Sequence, residues 1–134
     1  MGKAVLCLSP DGGRTYRLGT MTAIFKADED ETDGHYSVSE WWLEPNTTGP
    51  GAHAHEANDE LFYVIEGTAS ILAGDKWLEA PKGTFLRIPA GITHDFENRT
   101  SARVGLLNVF IPGGFERNMP AIVEWFKNNP GPPC

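Results

Sequence analysis

The sequence predicts an all-β barrel or sandwich followed by one C-terminal helix. Between positions 35 and 111 the chain consists of short apolar or alternating segments bounded by Gly, Pro and Asn, which is the pattern of short strands joined by turns. After Pro112-Gly113-Gly114, apolar residues recur at helical spacing within 116–128. No repeat or linker interrupts the 134 residues, so we expect a single domain over 1–134, with its core at about 49–111.

Each strand is placed by the turn residues that bound it. The first is predicted over 35–43, because Glu44-Pro45-Asn46 ends its run of β-branched and aromatic residues. Alternate side chains of a strand face opposite sides, so Glu60, Phe62 and Val64 should point into the barrel. The later strands are predicted over 60–65, 68–72, 76–79, 84–88, 94–97 and 103–111. The turn glycines expected to adopt a positive φ are Gly67, Gly83 and Gly91.

Two other segments complete the predicted architecture. The acidic run 28–33 is interpreted as a solvated loop rather than as a second metal site. The C-terminal segment carries Met119, Ile122, Val123 and Phe126 on one helical face. We therefore expect an amphipathic helix packed on the outside of the barrel.

Three histidines and one glutamate are the most informative group in the chain. His53 and His55 are two positions apart, so in an extended segment both rings lie on one side and can reach one ion. Glu60 opens the apolar run 61–65 and brings a carboxylate back toward the rings. His94 follows a Pro-x-Gly turn that can deliver another ring from a separate strand. Imidazole and carboxylate ligands suit one divalent Fe, Mn, Ni, Cu or Zn ion, and this ligand set does not select among these metals.

The spacing of these residues is that of a known family. The pattern H-x-H-x4-E-x6-G, from His53 to Gly67, resembles the first motif of the cupin superfamily. The pattern G-x5-P-x-G-x2-H-x3-N, from Gly83 to Asn98, is similar to the second motif at every defined position. Asn98 is expected to serve the turn after the His94 strand through hydrogen bonds to the backbone.

One position departs from the family pattern. The glycine usually found six residues before the first histidine is Thr47, and Gly49 and Gly51 stand nearby instead. We expect a reshaped loop that leaves the ligands intact.

The resemblance implies a fold, a metal ion and a type of chemistry. Cupins are double-stranded β-helix jelly rolls with a metal in the barrel mouth, which makes the same four residues the implied ligands. The segments 13–19 and 111–116 are also similar to small cupins grouped with quercetin dioxygenases. In flavonol dioxygenases of this superfamily, the glutamate corresponding to Glu60 both ligates the metal and accepts a proton from the substrate hydroxyl. Glu60 is therefore the candidate catalytic residue.

The resulting hypothesis is a metal-dependent, dioxygenase-type oxidoreductase that acts on a small aromatic or enolisable compound. Phe62, Val64 and Phe96 are the predicted substrate contacts, because they should face the inside of the barrel. Further candidates for the pocket wall are Phe85, Trp42 and Phe110.

Two alternatives remain open. One is a metal-dependent isomerase or lyase of a small sugar or keto acid, for which Arg87 and Asn108 alone are placed to supply inward polar groups. The other is a non-catalytic cupin that binds a small ligand. A shared fold does not decide among these functions.

Composition excludes several partners and compartments. The net charge of −7 disfavours a nucleic-acid backbone, and no apolar run has the length of a membrane span. No export signal is visible, and the two cysteines, Cys7 and Cys134, are too few for a disulfide framework. We expect a cytoplasmic protein that binds a small molecule.

The outer face of the predicted sheet should be apolar. Tyr63 and Ile65 fall opposite Glu60, and the last strand places Leu107, Val109 and Ile111 in the same position. Such a face needs a cover, which the C-terminal helix or a second copy could supply. We expect a homodimer. We also expect His35 to be a surface residue of the first strand.

Overall fold

The computed structural model describes residues 4–131. Within that range the chain forms nine strands, a short helix and a longer C-terminal helix. The strands are β1 (Arg14–Leu18), β2 (Met21–Ala27), β3 (Ser37–Leu43), β4 (Asp59–Glu66), β5 (Thr68–Ala73), β6 (Lys76–Pro81), β7 (Phe85–Ile88), β8 (His94–Glu97) and β9 (Val104–Ile111). The helices are α1 (Glu29–Thr32) and α2 (Met119–Asn128), and a 3₁₀ turn over Phe115–Asn118 precedes α2.

The strands form two antiparallel sheets. The larger has the order β1-β2-β3-β9-β4-β7, and the smaller has the order β6-β5-β8. The seven predicted strands are all present, with ends that differ by one or two residues from those predicted. The predicted all-β architecture with a C-terminal helix is confirmed.

The core lies between the two sheets and follows the predicted alternation. Along β4, Phe62 and Val64 are buried, whereas Tyr63 between them is 44% exposed. On the opposing sheet, Ile71 and Phe96 are buried and complete the core with them. The inner face of β4 therefore holds Glu60 at its start and core residues after it.

β1 and β2 were not predicted from the sequence. β1 contains two arginines, and Leu18 is its one buried residue, so its composition does not distinguish it from a loop. β2 follows after a two-residue turn, with Leu18 paired to Met21, and is buried at Ala23 and Phe25. These strands extend the larger sheet beyond β3 and bring Leu18 to the open end of the barrel.

The prediction of a fully solvated acidic loop is wrong. Residues 29–32 form α1, and Asp28 just before it is 3% exposed. The Asp28 carboxylate accepts hydrogen bonds from the backbone N–H groups of Gly114 (2.6 Å) and Glu116 (2.7 Å). The backbone N–H groups at the start of a helical segment have no acceptor within that segment. The buried Asp28 carboxylate is the acceptor for two of them here.

The C-terminal helix also differs from its predicted position. α2 packs against β1, and its first residue, Met119, is fully buried. Ile122 and Phe126 face a cavity at the open end of the barrel. The apolar face predicted for this helix is thus directed into the barrel mouth rather than against the outside of a sheet.

The outer face of the larger sheet is therefore not covered by α2. Tyr63 and Ile111 are each 44% exposed, and Phe85 on the edge strand β7 is 61% exposed. His35 lies on the surface as predicted, but it precedes β3, and its Nδ1 contacts the Thr32 carbonyl oxygen at 2.6 Å. Among the helices of residues 4–131, none is long and apolar enough to cross a membrane.

Candidate metal centre

The four predicted ligands meet at the open end of the barrel. Glu60 is the second residue of β4 in the larger sheet, and His94 is the first residue of β8 in the smaller one. His53 and His55 lie in the connection between β3 and β4. Two backbone hydrogen bonds hold this connection to β8: His53 N–H to His94 O at 3.0 Å, and His94 N–H to His53 O at 2.7 Å. Both sheets therefore contribute to one cluster.

The side chains of the cluster are close enough to share one ion. One ligand atom from each of the four residues lies within 4.8 Å of every other. The rings of His53 and His94 are 4.4 Å apart between centroids, and those of His53 and His55 are 4.9 Å apart. Glu60 and His94 are buried, whereas the other two histidines are partly exposed. The cluster is thus fixed on its barrel side and open on its cavity side.

The hydrogen bonds of the imidazoles determine which nitrogens face inward. The Nδ1 atoms of His53 and His94 contact the carbonyl oxygens of Gly51 (2.5 Å) and Ile92 (3.0 Å). A carbonyl only accepts, so each Nδ1 carries the hydrogen and each Nε2 keeps a lone pair. Such a contact orients a metal-binding imidazole in other proteins.

The inward atoms lack ordinary partners. The Nε2 atom of His94 lies 2.9 Å from Glu60 Oε1, and that of His55 lies 3.5 Å from the same oxygen. With the hydrogen of the neutral His94 ring on Nδ1, its Nε2 and Glu60 Oε1 are both acceptors. Neither these two atoms nor His55 Nε2 has a hydrogen-bond donor within residues 4–131. Lone pairs that converge in a buried site are costly without a positive charge between them. The donor set therefore fits one divalent cation, although it does not select the metal.

The pKa values of two histidines respond to this crowding in opposite directions. Burial lowers the pKa of His55, as do the neighbouring His53 and His94, and Glu60 offsets this only in part. Burial also acts to lower the pKa of His94, but the Glu60 carboxylate and the Ile92 carbonyl outweigh it, and the net shift is upward. Of these two residues, His94 therefore holds a proton more firmly than His55 in the metal-free protein.

Asn108 holds the second oxygen of the carboxylate. Its Nδ2 donates to Glu60 Oε2 at 3.0 Å and to the Leu61 carbonyl oxygen at 3.3 Å, and Asn108 is 2% exposed. This leaves Oε1 directed at the histidines. The sequence signal was an amide on the otherwise apolar inner face of β9. Asn108 was predicted to face inward, and its contact with Glu60 was not predicted.

Two glycines of the loop before the histidines lie against β8. A Cβ atom at Gly49 would lie 1.6 Å from the Phe96 carbonyl oxygen, so the close approach of the loop to β8 requires glycine here. The N–H of Gly51 donates to the buried Asp95 carboxylate at 3.2 Å. Burial raises the pKa of Asp95, against hydrogen bonds from the N–H groups of Phe96 and Gly51. Asp95 is a supporting residue that the sequence analysis missed.

Asn98 occupies its predicted place. Its Nδ2 donates to three carbonyl oxygens, the closest being Ala102 O at 2.7 Å, and its Oδ1 accepts from the N–H of Thr100 at 2.9 Å. The predicted turn role of Asn98 is confirmed. The turn glycines Gly67, Gly83 and Gly91 also have positive φ, as predicted.

A cavity of about 410 Å³ opens onto the ligand cluster. Its wall is mostly apolar and aromatic. From the barrel it takes Leu18, Trp41, Phe96, Asn108 and Phe110, and from the loop it takes Pro50, besides His53, His55 and Glu60. From the C-terminal segment it takes Phe115, Asn118, Ile122, Trp125 and Phe126.

Some of the residues proposed as substrate contacts line the cavity, and others do not. Phe96 lines the cavity, whereas Phe62 and Val64 are buried in the core, outside the cavity wall. Phe110 also lines it, but Phe85 is exposed on the opposite face of the sheet. Of the adjacent tryptophans, Trp41 rather than Trp42 faces inward. The alternation of residues along a strand predicts which side chains face inward. It does not predict which of these lie in the core and which lie in the cavity wall.

Two further placements correct the sequence analysis. The Trp42 ring lies under the Arg103 guanidinium at 4.0 Å, outside the cavity. The Arg87 side chain is 58% exposed and contacts Asp59 at 3.4 Å, so it contributes no polar group to the cavity. Pairing with Leu61 puts Arg87 on the outer face of the sheet.

Comparison with known proteins agrees with this geometry. The family profile described as "Cupin domain" matches residues 39–110, which is more than half of the chain. The chain is a cupin. An uncharacterized protein of Streptomyces coelicolor is 32% identical to this cupin over 76 residues, covering 57% of this chain and 70% of the relative.

A second relative has a named activity. Quercetin 2,3-dioxygenase of Bacillus subtilis is 27% identical to this cupin, and the alignment covers 80% of this chain and 34% of the relative. The cupin thus matches only about a third of that enzyme's length.

Solved structures show the same fold. An RmlC-like cupin from Shewanella frigidimarina superposes with a TM-score of 0.72 at 14% identity, covering 87% of this chain and 99% of that chain. A sugar phosphate isomerase from Silicibacter pomeroyi gives a TM-score of 0.66 at 20% identity, covering 78% and 74%. At these identities the likeness establishes the jelly-roll fold, and the predicted cupin jelly roll is confirmed.

Proposed function

We propose that this cupin is a metal-dependent dioxygenase-type oxidoreductase that acts on a small aromatic or enolisable compound. One observation carries the proposal: a cavity walled by aromatic and aliphatic side chains ends at the cluster of His53, His55, Glu60 and His94. An apolar cavity with a few convergent polar groups is the usual form of a small-molecule site. The relative named quercetin 2,3-dioxygenase supports this choice of chemistry.

Each residue of the site would have a distinct role in this chemistry. The three imidazoles and Glu60 would hold one divalent ion, which when bound supplies Lewis acidity and sites for an oxygen donor and for dioxygen. Glu60 would also accept the proton of a substrate hydroxyl, because its carboxylate is the one ligand of the four able to act as a base while it remains a ligand. Asn108 would keep Oε2 occupied so that Oε1 stays directed at the site.

The walls would serve the chemistry by excluding water. Phe96, Phe110 and Trp41 present apolar surface to the cavity. A proton transfer or an oxygenation within such walls is protected from competing reaction with solvent.

The isomerase or lyase alternative is less well supported. Among the described residues that line the cavity, none is lysine or arginine. A sugar phosphate or a small keto acid carries charge that a site normally meets with such side chains. The alternative of simple ligand binding is separated from catalysis by the experiment below.

The test is Glu60→Gln, which keeps the size of the side chain and one oxygen donor but removes its basicity. If Glu60 is the base, oxygen consumption with a panel of enolisable aromatic compounds should fall by about a hundredfold to ten-thousandfold at equal metal occupancy. The matched control is Glu66→Gln, an exposed change at the end of the same strand. Full turnover by the Glu60 variant at full metal occupancy would contradict the base role. If the metal-loaded parent consumed no oxygen with any compound of the panel, the oxygenase proposal would fail and the ligand-binding alternative would be favoured.

The proposed macromolecular partner is a second copy of this chain. The uncovered outer face of the larger sheet presents Tyr63, Phe85 and Ile111. The same face carries Arg87 beside Asp59, and a two-fold axis would allow each charge to pair across the interface. Light scattering should give the mass of a dimer for the parent and a lower mass for Tyr63→Lys. A monomeric parent would exclude this partner.

A further inference from the structure

We propose that the C-terminal segment 114–126 is the element that selects the ligand, and that it selects an uncharged apolar body attached to a chelating head with a single negative charge. The inference rests on the metal site of the proposed function but concerns the opposite wall of the cavity. It assigns a role to residues outside both cupin motifs.

The segment presents one continuous face to the cavity. Phe115, Asn118, Ile122, Trp125 and Phe126 all line it. The first four are spaced by three, four and three residues, which is the spacing of one side of a helix, and Phe126 follows Trp125 directly. Asn118 is the one polar member of this face among the described residues. The wall opposite the ligands is therefore an aromatic and aliphatic surface with one amide near its start.

Phe115 connects this wall to the ligands. Its ring stacks on Phe110, with centroids 4.3 Å apart and an interplanar angle of 7°, and it meets the His55 ring edge to face at 5.6 Å. On its far side it stacks on the buried Phe25 at 6.4 Å. A ring fixed on three sides in this way sets the distance between the wall and the metal centre.

A group of charged residues fixes the start of the segment. The Asp28 carboxylate accepts from the N–H groups of Gly114 and Glu116. The Glu116 carboxylate in turn accepts from Arg14 at 2.7 Å and from the Tyr16 hydroxyl at 2.7 Å. Burial, and then the bond to Glu116, raise the pKa of Tyr16 to about 12, so that hydroxyl stays a donor at neutral pH. These contacts place Phe115 without entering the cavity.

The far end of the segment is less enclosed. Trp125 lines the cavity but is 55% exposed, so its ring forms the rim where a ligand would enter. A large apolar ligand would cover this exposed ring, and a ligand confined to the ligand cluster would not reach it. Trp125 should therefore distinguish ligands by the size of their apolar body.

Charge defines the other half of the selection. A divalent ion with Glu60 leaves one positive charge at the cluster, which one ionised chelating oxygen would balance. The described lining residues offer no lysine or arginine for a second negative charge. An unpaired charge within apolar walls is strongly disfavoured, so a phosphate or a second carboxylate on the ligand body should weaken binding.

Calorimetric titration of zinc-loaded protein with matched hydroxamates tests both halves. Acetohydroxamic, benzohydroxamic and 2-naphthohydroxamic acids share one chelating head and differ in apolar body, and 4-carboxybenzohydroxamic acid adds a charge. The parent should bind the naphthyl compound most tightly and the carboxylated compound more weakly than the benzoyl one. Trp125→Ala and Ile122→Ala should each weaken the naphthyl compound by about fivefold to tenfold, with acetohydroxamate and zinc stoichiometry unchanged.

The matched control is Trp77→Ala, which removes a partly exposed tryptophan from the smaller sheet, where its ring packs under Arg99. This control should bind all four compounds as the parent does. Equal binding of the naphthyl compound by the parent, Trp125→Ala and Ile122→Ala would overturn the assignment of the wall. Tighter binding of the carboxylated compound would overturn the charge rule.

A separate arm distinguishes failure of this inference from failure of the metal site. If the protein takes up no zinc, the proposed function fails. The wall can then be tested alone with 2-naphthol, which has the ring system but no chelating head. Weaker 2-naphthol binding by Trp125→Ala than by the parent supports the wall. No difference, or no binding to the parent, overturns it.

Discussion

The two sides of the cavity are built by different means. The strand side, which carries the candidate metal ligands, consists of strand residues and a loop bonded to a strand. Its groups are held by backbone geometry and by Asn108. The opposite side is a helical segment held by Phe115 and by side-chain contacts to Asp28 and Glu116. The first arrangement fixes positions closely, as ligation requires. Because Phe115 is the residue of this wall that contacts His55, we expect changes farther along the segment to leave the His/Glu cluster intact.

The largest effect should come from removing a ligand on the strand side. His94→Ala deletes a buried imidazole that lies 2.9 Å from Glu60, and we expect zinc stoichiometry to fall from one per chain to near zero. The fold should persist, because the core between the sheets does not depend on the ion, unlike that of small zinc domains. Elemental analysis and far-ultraviolet circular dichroism on the same sample measure both. Retention of full metal would refute the site, and His35→Ala is the surface control.

Asn108→Ala should have a smaller effect on the same side. The change leaves the ligands in place but frees Oε2 of Glu60. Loss of a group that orients a ligand typically weakens metal binding by about tenfold to a hundredfold. Competition with a chelator of known affinity measures this. The control is Asn58→Ala, which removes an amide that donates to the Pro112 carbonyl. Unchanged zinc affinity would show that Asn108 does not orient the carboxylate.

These first two cases also show what the sequence could and could not reveal. The cluster of His53, His55, Glu60 and His94 was predictable because these residues have fixed spacings within strands and turns. Asn108 was placed on the correct face, but its hydrogen bond to Glu60 depends on the pairing of β4 with β9. That pairing joins residues far apart in the chain, and no local pattern encodes it.

The helical side was harder to predict for a related reason. The apolar spacing from Met119 to Phe126 gave the helix and its apolar face correctly, but not the surface against which that face packs. Its position follows from contacts between Asp28 and Gly114, and the acidic run gave no sign that one of its carboxylates is buried. Composition indicates that charges are usually solvated, and the exception depends on tertiary structure.

Removing the buried carboxylate should affect the helical side alone. Asp28→Ala leaves the N–H groups of Gly114 and Glu116 without their acceptor, and we expect the free energy of unfolding to fall by about 1–3 kcal/mol. Binding of 2-naphthohydroxamate should weaken, while zinc stoichiometry stays at one. Denaturant unfolding measures the stability, and Asp30→Ala, an exposed acidic position of α1, is the matched control. Equal stability of the two variants would contradict the anchoring role.

The most gradual effect expected is the response of metal binding to pH, because it is spread over several pH units. Because Glu60 and the Ile92 carbonyl raise the pKa of His94 overall against burial, zinc must displace a proton there at any pH below that pKa. Zinc affinity should be flat above it and should fall by up to about tenfold per pH unit below it. Because the pKa of His55 is lowered, protons should compete with zinc at His55 only in more acidic solution. Competition titrations from about pH 8.5 to about pH 5.5 measure this slope, and a constant affinity would contradict it.

We expect the two sides of the cavity to act separately, one on the metal and the other on the apolar body of the ligand. One crossed measurement tests it directly: zinc stoichiometry and 2-naphthol affinity determined on the parent, His94→Ala and Trp125→Ala. We expect His94→Ala to lose zinc and bind 2-naphthol as the parent does, and Trp125→Ala to keep zinc and bind 2-naphthol about fivefold to tenfold more weakly. Loss of both properties in either variant, with the fold intact by circular dichroism, would contradict the claim.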